Sequence, residues 1–191
     1  MAREIFEYLS DRAIIARAPR DSQVGTLLND AAGVVSCTFR VYDPSVDDVL
    51  SAAFAGGAAV LTVSNVSAYK VGRVVELTPD SGTREYQSVA SIQVAANTIT
   101  VGSNYTGAAA VGSRVRQLYG ALGSHSVAMA EFGTASVNNR AWGYRGNLPS
   151  FMLGFAEGVE IDVEIEFVGG AGGLLDRTRK ICGILQTECS A

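Results

Sequence analysis

The densest chemistry in the sequence lies in the run Val159-Glu160-Ile161-Asp162-Val163-Glu164-Ile165-Glu166-Phe167. Apolar and acidic residues alternate without a break, and an extended strand sends alternate side chains to opposite faces. One face therefore carries Glu160, Asp162, Glu164 and Glu166, spaced about 7 Å apart along the strand, where like charges repel. Such a face has three readings. The simplest is a solvated edge that charge protects from aggregation. The second is a face that pairs with cations of a neighbouring strand or subunit; Arg177, Arg179 and Lys180 stand just beyond the next turn. The third is the wall of an acidic lumen, along which a polyanion slides without sticking. Carboxylates at i and i+2 on one strand form no glycosidase cleft, and no EF-type loop is present to hold calcium.

The remaining reactive residues form no constellation. His125 is the one histidine, in Gly123-Ser124-His125-Ser126, and no G-x-S-x-G elbow accompanies it, so it reads as a junction residue. The stretch Val168-Gly169-Gly170-Ala171-Gly172-Gly173 has neither dinucleotide nor P-loop spacing and reads as a hairpin tip. Cys37, Cys182 and Cys189 include no CxxC, and one histidine does not complete a zinc ligand set. They read as small buried apolar residues, with Cys189 the candidate for a disulfide to a neighbouring subunit. Trp142 and Tyr144, within Arg140–Gly146, read as core or interface aromatics; a stacking platform for a base or sugar is the alternative. The expectation is a protein that is not an enzyme and uses no metal or cofactor.

Composition narrows the class. At 191 residues the chain is long enough for one domain or two small ones, and 48% apolar with 18% charged residues is the balance of a globular protein. A formal net charge of −4 argues against a protein that coats nucleic acid, which would carry a basic footprint. No apolar run is long enough to cross a bilayer. Met1–Leu9 is interrupted by Glu4 and Glu7, so it does not read as a signal peptide, and synthesis in the cytoplasm is expected. Asn65-Val66-Ser67 and Asn104-Tyr105-Thr106 are then chance matches to the glycosylation sequon.

The elements that would position these residues are mostly strands. Leu61–Asn65 followed by Val71–Leu77 is echoed by Ile99–Asn104 followed by Val111–Leu118, with alternating Glu85–Ile92 between them. Asp80-Ser81-Gly82 is a turn. These strands predict a small β-barrel inserted at 58–117, entered through a hinge at Ala55-Gly56-Gly57-Ala58 and left through Tyr119–Gly123. The flanks, 1–57 and 118–191, form a discontinuous outer β domain, sandwich-like, with an N-terminal arm over 1–32. Its strands are expected near 33–42, 126–132, 159–167 and 180–186. Within the arm, Ile5, Tyr8, Leu9 and Ala13 fall at helical spacing, while Ala13-Ile14-Ile15-Ala16 suits a strand. Pro44 should close the first strand, and Val46–Phe54 should be a short helix capped by Ser45, with Asp47 and Asp48 in its first turn.

The inserted segment resembles a small β module that recurs in structural proteins of tailed bacteriophages. The resemblance rests on Val71-Gly72-Arg73-Val74-Val75, Glu85-Tyr86-Gln87-Ser88-Val89 and Asn97-Thr98-Ile99-Thr100-Val101, and covers about a third of the chain. It implies a virion protein made in the host cytoplasm: a homo-oligomeric ring at the neck or tail, in a head–tail joining or tube role. The alternatives are a capsid decoration protein and a carbohydrate- or receptor-binding module. The implied partners are copies of itself and other virion proteins of the portal, neck, tail or capsid, with passive contact to passing DNA and none to a membrane. No catalytic residue follows from it.

Overall fold

In the computed structural model, residues 13–17, 34–132, 143–147, 161–169 and 174–182 are described. The protein is mainly β, and the strand pairs whose registers follow are antiparallel. The strands are β1 (Ala13–Arg17), β2 (Val34–Val49), β3 (Ala58–Thr62), β4 (Val74–Leu77), β5 (Glu85–Gln93), β6 (Thr98–Tyr105), β7 (Arg114–Leu118), β8 (Val127–Phe132), β9 (Gly143–Asn147), β10 (Ile161–Gly169) and β11 (Leu174–Cys182). The chain divides into two compact units, one formed by 1–41 with 126–191 and the other by Tyr42–His125. The inner unit thus extends further than 58–117, because the second half of β2 belongs to its sheet.

In the outer unit, β2 pairs with β8 (Phe39 opposite Val127), β8 with β9 and β9 with β1, so Ala13–Arg17 is a strand. β10 pairs with β2 and β11. Cys37, Phe39 and Val41 alternate with the less buried Ser36, Thr38 and Arg40, as the period of two requires. Cys37 meets Met129 there, and Tyr144 and Phe167 are buried as well, their rings edge to face with 5.7 Å between centroids. Gly146 lets the strands approach here: a Cβ on it would stand 2.7 Å from Phe39 Cε1.

In the inner unit the strand order is β2, β7, β4, β5, β6, β3. Leu50 then bridges to Val63 at the end of β3, which carries hydrogen bonding from the last strand back to the first. All of β4 is buried, so it is apolar except at Glu76. The core gathers Val46, Leu50, Phe54, Leu61, Val75, Leu77, Val89, Ile99, Tyr105 and Val115. The Tyr105 hydroxyl donates to Val75 O at 2.7 Å, and burial raises its pKa, as do the nearby Glu85 and Glu76 charges.

Several expectations are corrected. Val46–Phe54 is not a helix: β2 runs to Val49. Pro44 does not end the strand, because it sits in a bulge where the register with β7 jumps between Tyr42 and Asp47, so no ladder bond needs its missing N–H. Asp43 closes that bulge by accepting from Ser45 N at 3.1 Å and Ser45 Oγ at 2.5 Å. Ala55–Ala58 is bonded on both sides rather than a free hinge: Phe54 exchanges two backbone bonds with Ala109, and Gly57 N donates to Tyr105 O at 2.7 Å. The last strand is Leu174–Cys182 rather than 180–186, of which 183–186 lies outside the described residues.

Candidate functional site

The acidic strand is β10, with strands on both edges. Asp162 and Glu164 are only 1% and 2% exposed. This corrects the solvated edge and the lumen wall for those two residues: both faces of the strand are covered, and Val163, Ile165 and Phe167 are buried on the other side. Buried carboxylates need cations or donors. Arg40, on β2, bonds Glu166 at 3.2 Å in a partly buried pair. The register with β11 sets Arg179 opposite Glu164 and Arg177 opposite Glu166, positions that share one face of an antiparallel pair. Lys180 stands opposite Val163 instead. Glu160 lies outside the described residues.

Tyr144 is buried against Phe167 and offers no exposed ring to a sugar or base. Trp142 and Cys189 fall outside the described residues. Cys37 is a buried thiol that donates to Met129 Sδ at 3.5 Å, and burial pushes its pKa up to about 12, so it is held protonated and unreactive. His125 lies half-buried with its ring 4.8 Å from that of Tyr86. Among the described residues no group of three His, Cys, Asp or Glu side chains is placed to hold a metal. No helix among them is long and apolar enough to cross a membrane.

Sequence reasoning missed the polar cluster around Glu76. Glu76, 2% exposed, sits in mid-β4. Its Oε1 accepts from Arg116 Nε at 3.1 Å and Nη2 at 2.7 Å, and its Oε2 accepts from the Tyr42 hydroxyl at 2.6 Å and Arg84 Nη1 at 3.2 Å. The Arg116 guanidinium lies over the Tyr42 ring, 3.7 Å from its centroid. Close by in the chain, Arg73 bonds Asp43 at 3.3 Å and covers the Tyr119 ring at 4.3 Å. Burial and the Asp43 charge raise the Tyr119 pKa against the opposing pull of Arg73. The signal for the cluster was present in the sequence: Glu76 and Arg116 are opposite charges at matching places in two otherwise similar strands. The chain matches no family model, no curated protein and no solved structure. Chemically the cluster is a buried ion-pair network that engages both carboxylate oxygens of Glu76, an arrangement that fixes strand register.

Proposed function

We propose that this protein is a non-enzymatic structural component of a tailed-phage particle, assembling with copies of itself as a ring at the neck or tail. The observation that carries the reading is the order of the three segments that resemble the recurrent phage module. Val71–Val75, Glu85–Val89 and Asn97–Val101 contribute to adjacent strands β4, β5 and β6 of one sheet, with Val-Gly at a tight turn before β4. Polar groups of the inner unit are spent on one another around Glu76, which suits a scaffold. The carbohydrate-binding alternative loses one of its two aromatics, since Tyr144 is a core residue. In the assembly reading the partners are identical copies and other virion proteins, and contact with DNA is passive. Closed symmetry is the usual outcome when one surface must tile with itself. Mass photometry and negative-stain imaging of the purified full chain test it: a discrete ring of one stoichiometry is expected. A monomer at all concentrations, failing to join particles in a complementation assay, overturns it.

A further inference from the structure

The inner unit is two copies of one hydrogen-bonding plan. In the first, Gly72 N donates to Val89 O at 2.8 Å and Val89 N donates to Arg73 O at 2.8 Å. In the second, Gly112 N donates to Leu50 O at 2.8 Å and Leu50 N donates to Ser113 O at 2.9 Å. Both glycines end Val-Gly turns at the same positive φ, 84° and 85°. Gly72 therefore corresponds to Gly112, and Val89 to Leu50. β4 and β7 pair antiparallel with Glu76 opposite Arg116, and β3 and β6 pair with Leu61 opposite Ile99. Each of these pairs joins matching residues of the two halves, as a local two-fold axis through both pairs requires. The axis exchanges β3 with β6, β4 with β7, and β5 with the second half of β2.

One seam breaks this symmetry. β5 runs on beyond Val89 and holds β6 through Val89–Val101, Ser91–Thr100, Ile92–Ile99 and Gln93–Thr98. Its counterpart leaves at once: Leu50–Val63 matches Val89–Val101, and nothing continues the ladder. The seam consists of Ser51 N to Thr62 O at 2.9 Å and Ser64 N to Val49 O at 3.2 Å, supported by the Ser51 hydroxyl on Val63 O at 3.1 Å, the Ser64 hydroxyl on Val49 O at 3.4 Å and, at its exposed end, Asn65 N on Asp48 Oδ2 at 3.1 Å. Beyond it Ser51–Ala53 is exposed, and so is Val60 on β3, at 50%. The closing strand also arrives from outside the repeated halves, whereas β5 follows β4 through the Pro79–Gly82 turn, closed by Gly82 N to Pro79 O.

We propose that this β2–β3 seam is a latch: the inner unit opens there, locally and before it unfolds, while β2 keeps its bonds to β7 and the β5–β6 side stays closed. Local opening selects the contact with fewest buried hydrogen bonds. The symmetry supplies internal controls. In amide exchange followed by NMR on the full chain, Ser51 and Ser64 should show protection about tenfold or more below Gly72, Val89, Gly112 and Leu50. Protection within about threefold of those four amides overturns the proposal. Leu50 and Val63 form a pair flanked by bonds on both sides rather than sharing them, the narrow type with Cα atoms about 4.5 Å apart, which accepts a disulfide. Oxidised L50C/V63C should bring Ser51 and Ser64 up to the protection of Gly72 and Gly112. Rapid exchange at both in the oxidised variant equally overturns the latch.

Discussion

Glu76 ties three strands and a turn of the inner unit together, because its carboxylate is the shared acceptor of Arg116, Arg84 and Tyr42. Replacing one member of a buried ion pair costs far more than the pair contributes, since the other charge stays buried and uncompensated. Glu76→Ala should therefore destabilise the protein by about 3–5 kcal/mol, read by urea unfolding. Tyr42→Phe removes the hydroxyl's bond to this charged acceptor, together with the bond it accepts from Arg84 Nη1 at 3.3 Å, and should cost about 1.5–3 kcal/mol. Equal costs for the two would mean that Arg116 does not depend on Glu76. Glu85 gives a pH signature instead. Burial works to raise its pKa, but bonds from Thr106 N at 2.7 Å, the Thr106 hydroxyl at 2.8 Å and Gly107 N at 2.7 Å outweigh it, and the net shift is below the ordinary 4.5. A carboxyl lowered on folding adds stability that is fully present above its unfolded value and is lost as pH falls through its folded one. Stability should thus decline in acid below about pH 4.5, and Glu85→Gln should flatten that part of the pH profile while lowering stability at neutral pH.

At the scale of elements, the turns separate two kinds of glycine. Gly72 and Gly112 have positive φ and open space where a Cβ would go, so alanine there meets only backbone strain. Gly72→Ala and Gly112→Ala should each cost about 1–2 kcal/mol, and similar amounts, because the local two-fold makes their surroundings alike. A Cβ on Gly56 would fall 2.3 Å from Thr106 O, a backbone atom of a segment that Glu85 holds in place, so Gly56→Ala should cost more than either. Chemical denaturation of the three variants checks the order. The strands between these turns were legible because their signals are local: alternation in Glu85–Ile92 and the Val-Gly repeats point to strands by themselves. Val46, Leu50 and Phe54 were misread because a spacing of four suits a helix face and one face of a strand alike, and Asp-Pro-Ser before them mimics a helix start. All three are core residues in either case. The acidic strand failed differently. Alternation shows that its two faces differ, but whether the charged face is wet depends on Arg40, distant in sequence, and on the strands paired to both edges.

At the scale of the whole molecule, the inner unit's independence turns on a strand that the sequence assigns to its neighbour. The repeated halves supply β3, β4, β6 and β7 together with β5, and a two-fold plan needs a sixth strand to match β5. Residues 42–50 fill that place, and with Phe54 they drive Val46 and Leu50 into a core lined by Leu61, Val75, Leu77 and Val115. They also bring Tyr42 to Glu76 and the two carboxylate oxygens of Asp47 to Arg114, each at 2.6 Å. A fragment of 58–117 would lose the buried side chains of Tyr42, Val46, Leu50, Phe54, Leu118 and Tyr119 and leave Glu76 short of one donor. Burying a side chain of that size stabilises by about 1.5–3 kcal/mol, so the loss is comparable to the total stability of a small domain. A fragment of 42–125 keeps all of it. The longer fragment should unfold cooperatively on heating and give a dispersed amide spectrum, and the shorter one should do neither. Cooperative folding of 58–117 alone would show that the closing strand is dispensable, and that the two repeated halves with β5 suffice for a core without it.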